Sequence, residues 1–511
     1  MAWLHSWLGL LLGWFLFTIF LTGATSYYRH EINAWSQPTL ANISVKQDIA
    51  IENAYNYLLE NASDAKKWYV QIANNHNPIN KVYWQTPEGK FEVKTLDPNT
   101  SLEMNLKESQ LGEFFYLFHF QLYGLPIIIA RLIVSFCAFI MLIALISGII
   151  THKKIFADFF TLRAFKGQRS YLDFHNVSSV LALPFFLTVT FTGLAIFFYL
   201  YFPMGLNKTY PENKFQYFEE IRNVSTSSTP NLQEAKMLDF LNMKKIVQEN
   251  IGTKDLAFLE LSSPNTKDAK VSFRALEDKT ITQNAEQVTF NAITGEILGT
   301  TKNQSAIAQL SSGVYGIHMA TFAQPFLRIA LYISGLLGCS MIASGLLLWS
   351  LKRQIQYKSE SFHFGYYLVD RLNITALIGL PIAMICTLNS NRIIAINDFK
   401  FTEINVFFYT WLICFITSLF ISKTLLWKSF LKIFIGASMF LLALEVYFLN
   451  SFMIKTSEFS YWNFLRVDIF IFIFILFAFF LHNRIEPITA KAHKKLIKKI
   501  NAQKASESIS S

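Results

Sequence analysis

Long apolar runs alternate with polar segments along the chain, and their spacing predicts a membrane protein. Eight such runs lie at about 8–28, 120–150, 176–202, 326–350, 370–390, 405–422, 430–450 and 466–482. Most of them reach the roughly 20 residues that a helix needs to span the hydrocarbon core. The first run is longer than a signal peptide requires and no basic segment precedes it, so we expect it to be retained as a helix.

Two polar segments, 36–112 and 204–312, interrupt the apolar runs, and each is long enough for a small domain. Each begins with a helix-like stretch and continues with alternating, strand-like sequence, such as Val82–Gln85 and Lys270–Arg274. The second segment ends with two short strands joined by a turn at Thr294–Gly295. The predicted fold class is therefore an all-α polytopic membrane protein of about eight transmembrane helices with two small α+β domains.

The composition supports this class and excludes others. Of the 511 residues 52% are hydrophobic and only 16% are charged, whereas a soluble domain carries about 25% charged residues. The net charge of +10 comes from short basic stretches beside apolar runs, so we expect no nucleic-acid partner. All four cysteines lie within apolar runs without a C-x-x-C pair, which argues against a thiol relay or a disulfide framework.

Basic residues predict the orientation. Four clusters fall on one side of the bilayer if the helices alternate, and this side is then cytoplasmic, with both termini inside and both polar domains outside. Arg29, which follows the first helix, is a minor exception. The clusters are Lys153, Lys154, Arg163, Lys166 and Arg169; Lys352, Arg353 and Lys358; Lys423, Lys428 and Lys432; and Arg484, Lys491, Lys494, Lys495, Lys498 and Lys499.

The predicted domain organisation follows from these spans and loops. Each outer domain is flanked by two helices, and a group of four further helices ends in a basic cytoplasmic tail. The boundaries are 1–35 for helix one, 36–112 for the first outer domain, 113–152 for helix two, 153–172 for a cytoplasmic loop, 173–203 for helix three, 204–312 for the second outer domain, 313–351 for helix four, 352–365 for a cytoplasmic loop, 366–483 for helices five to eight and 484–511 for the tail.

Residues 1–150 and 171–350 repeat one pattern of helix, polar domain and helix. The interval from histidine to glycine is 18 residues both in helix one, from His5 to Gly23, and in helix three. Helices two and four also match, with spacings that differ by two residues or fewer. The matched residues are His175 and Gly193 in helix three, His119, Pro126, Arg131 and Ser147-Gly148 in helix two, and His318, Pro325, Arg328 and Ser344-Gly345 in helix four.

The duplicated histidines predict a haem site in each leaflet. Parallel repeats pack about a pseudo-two-fold axis along the membrane normal, so His5 would approach His175 near the cytoplasmic face and His119 would approach His318 near the outer face. Two opposed neutral imidazoles can ligate one haem iron, which predicts two haem b groups. No C-x-x-C-H motif is present, so attachment would be non-covalent. His152 is an alternative partner of His175.

Arg131 and Arg328 lie within apolar helices, where an unpaired charge is costly. They either bind haem propionates through charge-assisted hydrogen bonds or extend to the outer headgroups, and both alternatives remain open. Small residues at matching positions would allow close approach of helices or of a flat ring, and ordinary helix packing explains them equally well. These residues are Thr22, Gly23, Gly148, Thr192, Gly193 and Gly345.

The segments around these histidines resemble the PepSY-associated transmembrane family. The resemblance covers 1–353 well and 360–511 poorly. It implies that 36–112 and 204–312 are PepSY-like periplasmic domains, and it maps the family's histidines onto the four repeated ones, with His152 as in one subgroup. Phe186 stands where relatives could carry a histidine. The matching sequence is Trp3-Leu4-His5, Leu21-Thr22-Gly23, Asp173-Phe174-His175-Asn176, Leu183-Pro184-Phe185, Gly316-Ile317-His318 and Gly345-Leu346-Leu347-Leu348-Trp349.

This resemblance implies a bacterial inner-membrane ferric-siderophore reductase that passes electrons from the cytoplasmic side through haem b to a periplasmic ferric chelate. Two alternatives remain: a PepSY membrane protein that binds or regulates an envelope partner without redox chemistry, and a transporter of siderophore or iron. The histidine pairs favour the reductase. No G-x-G-x-x-G or P-loop motif is present, so the donor would be a separate cytoplasmic protein or a quinol.

Overall fold

The computed structural model describes residues 2–75, 77–106, 109, 111–151, 168–212, 233–276, 281–282, 285–301, 306–356, 363–394, 402–452 and 458–509. The chain divides into two compact units, which we describe separately. The membrane unit comprises Met1–Pro38, Ser109–Leu194 and Pro325–Ser511. The polar unit comprises Thr39–Glu108 and Ala195–Gln324.

The described residues of the membrane unit form helices joined by short turns and loops. Its long helices are predominantly apolar, and shorter helices precede or follow several of them. The bounds are α1 Ala2–Ser26, α2 Arg29–Ser36, α4 Leu111–Gln121, α5 Ile127–Thr151, α6 Gln168–Leu181, α7 Leu183–Ile196, α12 Pro325–Gln356, α13 Phe364–Ile374, a π-helical turn Thr375–Gly379, α14 Leu380–Ile393, α15 Glu403–Phe420, α16 Lys423–Phe452 and α17 Glu458–Ile509.

Seven helices among the described residues are long and apolar enough to cross a membrane, and there are eight if the bent pair α6–α7 forms one span. This agrees with a multi-pass membrane protein of about eight spans. Each predicted apolar run overlaps one of these elements. The seven spans are Trp3–Ser26, Ile127–Ile150, Pro325–Arg353, Phe364–Ile393, Glu403–Phe420, Leu425–Phe448 and Phe464–Ile485.

Proline positions explain the breaks that the apolar runs did not reveal. Helices α6 and α7 meet at an angle of 68°, and Pro184 is the second residue of α7. Proline has no N–H to donate and its ring clashes with the carbonyl four residues earlier, so a helix bends or ends there. Pro126 likewise precedes α5, Pro325 begins α12, and Pro381 follows the π-helical turn.

The polar unit contains a seven-stranded antiparallel sheet and several short helices. The strand order is β3-β2-β1-β4-β5-β6-β7. Buried and partly exposed residues alternate along strands such as β1 and β5, as expected of a sheet with one buried face. The bounds are α3 Gln47–Asn61, β1 Lys67–Gln71, β2 Asn80–Gln85, β3 Phe91–Leu96, α8 Phe198–Tyr201, α9 Pro203–Thr209, α10 Phe240–Ile251, β4 Leu256–Ser262, β5 Lys270–Ala275, β6 Gln287–Asn291, β7 Ile297–Thr300 and α11 Ala306–Met319, and a 3₁₀ turn at Pro38–Asn42 leads into the unit.

The two polar segments share this one sheet, which the sequence did not predict. Strand β1 of the first segment pairs antiparallel with β4 of the second, with Trp68 opposite Leu261 and Val70 opposite Leu259. All four side chains are buried in one core. A free strand edge would leave a row of backbone groups unpaired, so joining the two edges satisfies both. Each segment contributes one helix, α3 or α10, to this core.

Candidate functional site

Two of the predicted haem ligands, His5 and His175, are neighbours within the membrane unit. Their ring centroids are 6.2 Å apart, and the ring planes cross at 81°. His5 lies in the first turns of α1 and His175 lies in α6, and both side chains are half-buried. The structure therefore brings together the two imidazoles that the repeat predicts to be close.

Each of these imidazoles is anchored through Nδ1 to a backbone carbonyl of a different helix. His5 Nδ1 lies 3.2 Å from the oxygen of Ala144, and His175 Nδ1 lies 2.8 Å from the oxygen of Met341. Because a carbonyl only accepts, Nδ1 must carry the proton and donate. The lone pair of the neutral ring is then on Nε2. Metal-ligating histidines are commonly oriented in this way, by donating their other ring N–H to a carbonyl.

His119 repeats this arrangement in α4, where its Nδ1 lies 2.7 Å from the oxygen of Ile19 in α1. In all three cases the accepting carbonyl belongs to the residue four positions before a glycine. An α-helix places residue i above the carbonyl of residue i−4, so a glycine leaves that carbonyl open to an imidazole from the side. The three pairs are Ile19 with Gly23, Ala144 with Gly148, and Met341 with Gly345.

The glycines also make room for the rings. A Cβ atom at Gly23 would lie 2.7 Å from Cε1 of His119, and one at Gly345 would lie 3.2 Å from Cε1 of His175. At Gly148 the corresponding distance to His5 is 3.9 Å, which is ordinary contact. Gly23 is therefore required by the close approach of an imidazole, and a side chain at Gly345 would displace the imidazole of His175 by a few tenths of an ångström.

A hydroxyl residue precedes each of these glycines, and the two serines donate to the same carbonyl as the imidazole. Since each carbonyl oxygen has two lone pairs, it can accept from the hydroxyl and from the imidazole together. The two Ser-Gly pairs of the sequence thus have a structural role that the sequence left open. Ser147 donates to Ala144 O at 3.1 Å and Ser344 donates to Met341 O at 2.9 Å. Thr22 donates to Thr18 O at 2.7 Å and is 3.4 Å from Ile19 O.

The remaining predicted ligands are distributed over both units. His318 lies in α11 of the polar unit and is half-buried. His119 belongs to the membrane unit, and the pairing of these two residues remains a prediction. His152, the alternative partner of His175, lies outside the described residues.

The two arginines within the apolar helices have different partners. Arg131 donates from Nη2 to Oε1 of Gln121 at 3.1 Å and lies over the ring of Phe120, 5.5 Å from its centroid. Arg328 donates from Nη2 to Oε1 of Glu31 at 2.6 Å and lies over the ring of Tyr28, 4.8 Å from its centroid. Arg328 therefore has a buried counter-charge that the sequence did not predict. The role of either arginine as a haem propionate partner remains a prediction.

The distance between His5 and His175 is compatible with two imidazoles on one haem iron, and haem binding stays a prediction. No group of three or more histidine, cysteine, aspartate or glutamate side chains that could hold a metal ion occurs among the residues the structure describes. Haem needs only two axial ligands from the protein. Two metal–imidazole bonds of about 2.0–2.1 Å, plus roughly 1.1 Å from each nitrogen to its ring centre, place the centroids about 6.3 Å apart. The observed centroid distance of 6.2 Å is compatible with this arrangement.

A buried polar network in the last four helices was missed by sequence reasoning. Arg392 of α14 forms an ion pair with Glu445 of α16, and both side chains are at least 96% buried. Its Nη2 also donates to the oxygen of Trp35 at 2.8 Å. The neighbouring Asn391 donates from Nδ2 to Oε1 of Glu403 at 2.8 Å. Glu445 within the apolar run 430–450 was the available signal, but its partner Arg392 is distant in sequence.

Together these features define a multi-pass membrane protein whose first helices hold histidines against glycine-flanked backbone carbonyls. A family model described as the PepSY-associated TM region matches residues 2–352. The chain therefore belongs to the PepSY-associated transmembrane family. A search of curated proteins finds no match. The family match ends before α13, so helices α13–α17 lie outside it.

Proposed function

We propose that this protein is a bacterial inner-membrane metalloreductase that passes electrons through two haem b groups to a ferric chelate, such as a siderophore, in the periplasm. The observation that carries the proposal is the pairing of His5 and His175, with ring centroids 6.2 Å apart and with Nδ1 of each ring held by a carbonyl. A T-shaped aromatic contact would explain the distance alone. It would not explain why both rings present the tautomer that ligates through Nε2.

In this proposal His5 and His175 hold the inner haem, and His119 and His318 hold the outer one. When bound, haem supplies a one-electron Fe(III)/Fe(II) couple. The protein's own residues orient the imidazoles through the carbonyls of Ala144 and its counterparts, so that the rings need not reorganise when charge moves. Reduction of the chelated substrate to Fe(II) weakens its binding to hard oxygen ligands and so releases the metal.

The proposed duplication is supported by geometry in both units. In the membrane unit the same contact among a histidine, a glycine and a carbonyl recurs three times. In the polar unit the first segment runs α3-β1-β2-β3 and the second runs α10-β4-β5-β6-β7, and the two first strands pair at the centre of the sheet. A pseudo-two-fold axis between β1 and β4 would relate the halves, which we propose to be two PepSY-like domains.

The proposed orientation has both termini in the cytoplasm and the polar unit in the periplasm. It rests on the basic clusters, because positive residues remain inside. Topology reporters fused after Thr100 and Asn265 should be active as periplasmic fusions, and one after Lys166 should be active as a cytoplasmic fusion. A cytoplasmic signal at Asn265 would contradict both the orientation and the repeat.

An absorption spectrum of the detergent-purified chain tests the function directly. We expect a reduced-minus-oxidised Soret and α-band, and about two haems per chain by pyridine haemochrome quantification. His175→Ala should remove the inner haem, because a six-coordinate iron that loses one imidazole becomes high-spin or dissociates. The matched control is His482→Ala in α17, which changes a half-buried histidine outside the repeat. Protein from haem-replete cells that carries no haem would favour the non-redox or transport alternatives.

A further inference from the structure

Asp468 is an acidic residue within an apolar membrane span. It lies one helical turn into the span Phe464–Ile485 of α17, and its side chain is half-buried. Phe472, one turn further along the same face of α17, is 53% exposed, and the adjacent Ile469 is 46% exposed, so this part of α17 borders an apolar environment. A charge at such a position is costly, and acidic residues within membrane spans commonly bind ions or protons.

The hydrogen bonding of Asp468 is weak for a carboxylate. Its Oδ1 accepts from Nε1 of Trp35 in α2 at 3.4 Å. Among the residues that the structure describes, this is the only side-chain hydrogen bond to Asp468, and no basic side chain forms an ion pair with it. An ionised carboxylate that is removed from water needs strong hydrogen bonds or a counter-charge, and Asp468 has neither.

The guanidinium of Arg392 in α14 acts on Asp468 electrostatically, but its nitrogens donate to other groups. Nε donates to Oε1 of Glu445 in α16, Nη1 donates to Oδ1 of Asn391, and Nη2 donates to the oxygen of Trp35 at 2.8 Å. Glu445 is therefore the direct partner of this guanidinium. Its second oxygen, Oε2, is buried and has no hydrogen-bond partner in the described part of the chain, so Glu445 depends on Arg392 for its compensation.

The other charges on the helices that pack against α17 do not compensate Asp468. Glu445 repels an ionised Asp468, and this repulsion is larger than the attraction by the guanidinium of α14. On α2 the acidic group is Glu31, whose Oε1 accepts from Arg328 at 2.6 Å and from Arg466 at 3.4 Å, so these two guanidiniums are engaged with another carboxylate. If Asp468 and Glu445 were both ionised, one guanidinium would serve two carboxylates that are removed from water.

We propose that Asp468 is a proton-binding site, which holds one exchangeable proton at neutral pH while Glu445 remains ionised beside Arg392. A proton needs no cavity, and a half-buried carboxyl group can exchange it without unfolding of the chain. The neutral acid removes the repulsion from Glu445, retains Oδ1 as the acceptor for Trp35, and gains an O–H that can donate. Loss of the proton leaves an uncompensated charge where α17 contacts α2, so proton binding stabilises this contact.

Infrared spectroscopy of the detergent-purified full chain detects this proton directly, whether or not haem is bound. The C=O stretching band of a protonated carboxyl group is separate from the carboxylate bands and shifts in deuterium oxide. We expect such a band at neutral pH that disappears at alkaline pH, and Asp468→Asn should remove it. The matched control is Asp48→Asn, the same substitution at an exposed carboxylate that pairs with Lys244 at 2.7 Å, and it should leave the band unchanged.

Glu445→Gln tests the charge balance on which the proposal rests. The substitution removes one of the two carboxylates, so the guanidinium of Arg392 is left to compensate Asp468 alone. The band of the protonated Asp468 should then disappear at a lower pH than in the wild type, because a nearby positive charge without another partner favours the ionised acid. A band that disappears over the wild-type pH range in this variant would contradict the proposed role of Glu445.

Thermal unfolding distinguishes a proton site from a carboxylate that stabilises the fold as an anion. The amide in Asp468→Asn resembles the neutral acid, and its oxygen can accept from Trp35, so its unfolding temperature at neutral pH should equal or exceed that of the wild type. The bound proton stabilises the wild type fully at acidic pH, and this stabilisation is lost as the pH rises, so the unfolding temperature of the variant should fall less between neutral and alkaline pH. A clearly lower unfolding temperature of Asp468→Asn, or a carboxyl band that this substitution leaves unchanged, would overturn the proposal.

Discussion

Substitution of Gly23 by alanine tests whether the glycine contacts hold the histidines in place. The new Cβ would lie 2.7 Å from Cε1 of His119. Non-bonded carbon atoms remain about 3.5 Å apart or more, so the ring must move by about 0.8 Å. A movement away from α1 lengthens the Nδ1 bond to Ile19, now 2.7 Å, to about 3.5 Å, which is beyond ordinary hydrogen-bond distance.

The energetic cost follows from three contributions. Overpacking costs about 1–3 kcal/mol, and loss of the hydrogen bond costs about 0.5–1.5 kcal/mol. Replacing glycine by alanine within a helix stabilises the helix by about 0.8–1 kcal/mol, which offsets part of this cost. The net expectation for Gly23→Ala is a destabilisation of about 0.5–4 kcal/mol together with a shift of the outer haem towards high spin.

Thermal unfolding and absorption spectra of detergent-purified variants measure both effects. Gly436→Ala in α16 is the matched control, because nothing lies within 4 Å of its added Cβ, and it should be neutral or slightly stabilising. Gly345→Ala, with its Cβ 3.2 Å from His175, should affect the inner haem alone and less strongly. If Gly23→Ala unfolds like wild type and retains both low-spin signals, the close approach of glycine and imidazole does not hold the ligand.

Three further predictions concern the outer haem, the buried ion pair and the polar unit. His119→Ala and His318→Ala should remove the same haem signal, and the double variant should lose no more than either alone; two low-spin haems in both single variants would exclude these residues as axial ligands. Arg392→Met should destabilise the chain by about 3–5 kcal/mol because it leaves the Glu445 charge buried without a partner. Thermal unfolding of the double variant Arg392→Met/Glu445→Met should show that part of this stability is recovered. A double variant as unstable as the single one would show that the buried charge is not the cause. Burial raises the pKa of Tyr55 to about 12 from 10.0, so the stability that its neutral phenol contributes is complete below pH 10 and is lost as the pH rises towards 12. Tyr55→Phe should therefore reduce the fall in the free energy of unfolding between pH 10 and pH 12. An unchanged pH dependence in this variant would contradict the assignment to Tyr55.

The membrane spans could be predicted from sequence because hydropathy is a local property. The joined sheet could not. Alternating apolar and polar residues in β1 and β4 predict two strands. No local sequence pattern in Trp68–Val70 or Leu259–Leu261 predicts that these strands pair with each other across about 190 intervening residues. Register between distant strands is set by burial of a shared face, and that face exists only after both segments fold. The breaks at Pro126 and Pro325 were readable in principle, because proline limits helices locally.

At the candidate site the residue types were predictable and their anchors were not. The interval between His5 and Gly23 and its recurrence in helix three predicted that His5 and His175 lie close together, as the structure shows. The acceptors, such as the carbonyl of Ala144, are backbone atoms that every residue possesses, so no residue type marks them. The hydroxyl before each glycine, as in Ser147-Gly148, was the only side-chain signal for these carbonyls.

Helices beyond the family match are joined to helices within it by buried polar contacts. Arg392 lies over the ring of Trp35, 3.6 Å from its centroid, and Asn391 donates to Ser36 O at 3.1 Å and to Ser109 Oγ at 2.7 Å. Burying these groups is costly unless every partner is in place, so the network stabilises one arrangement of α14 against α2 rather than many. Since Asn391 and Arg392 both lie in α14, a chain shortened after Arg353 lacks this network, and its thermal unfolding should occur at a lower temperature than that of the full chain; equal unfolding temperatures would contradict a stabilising role of the network.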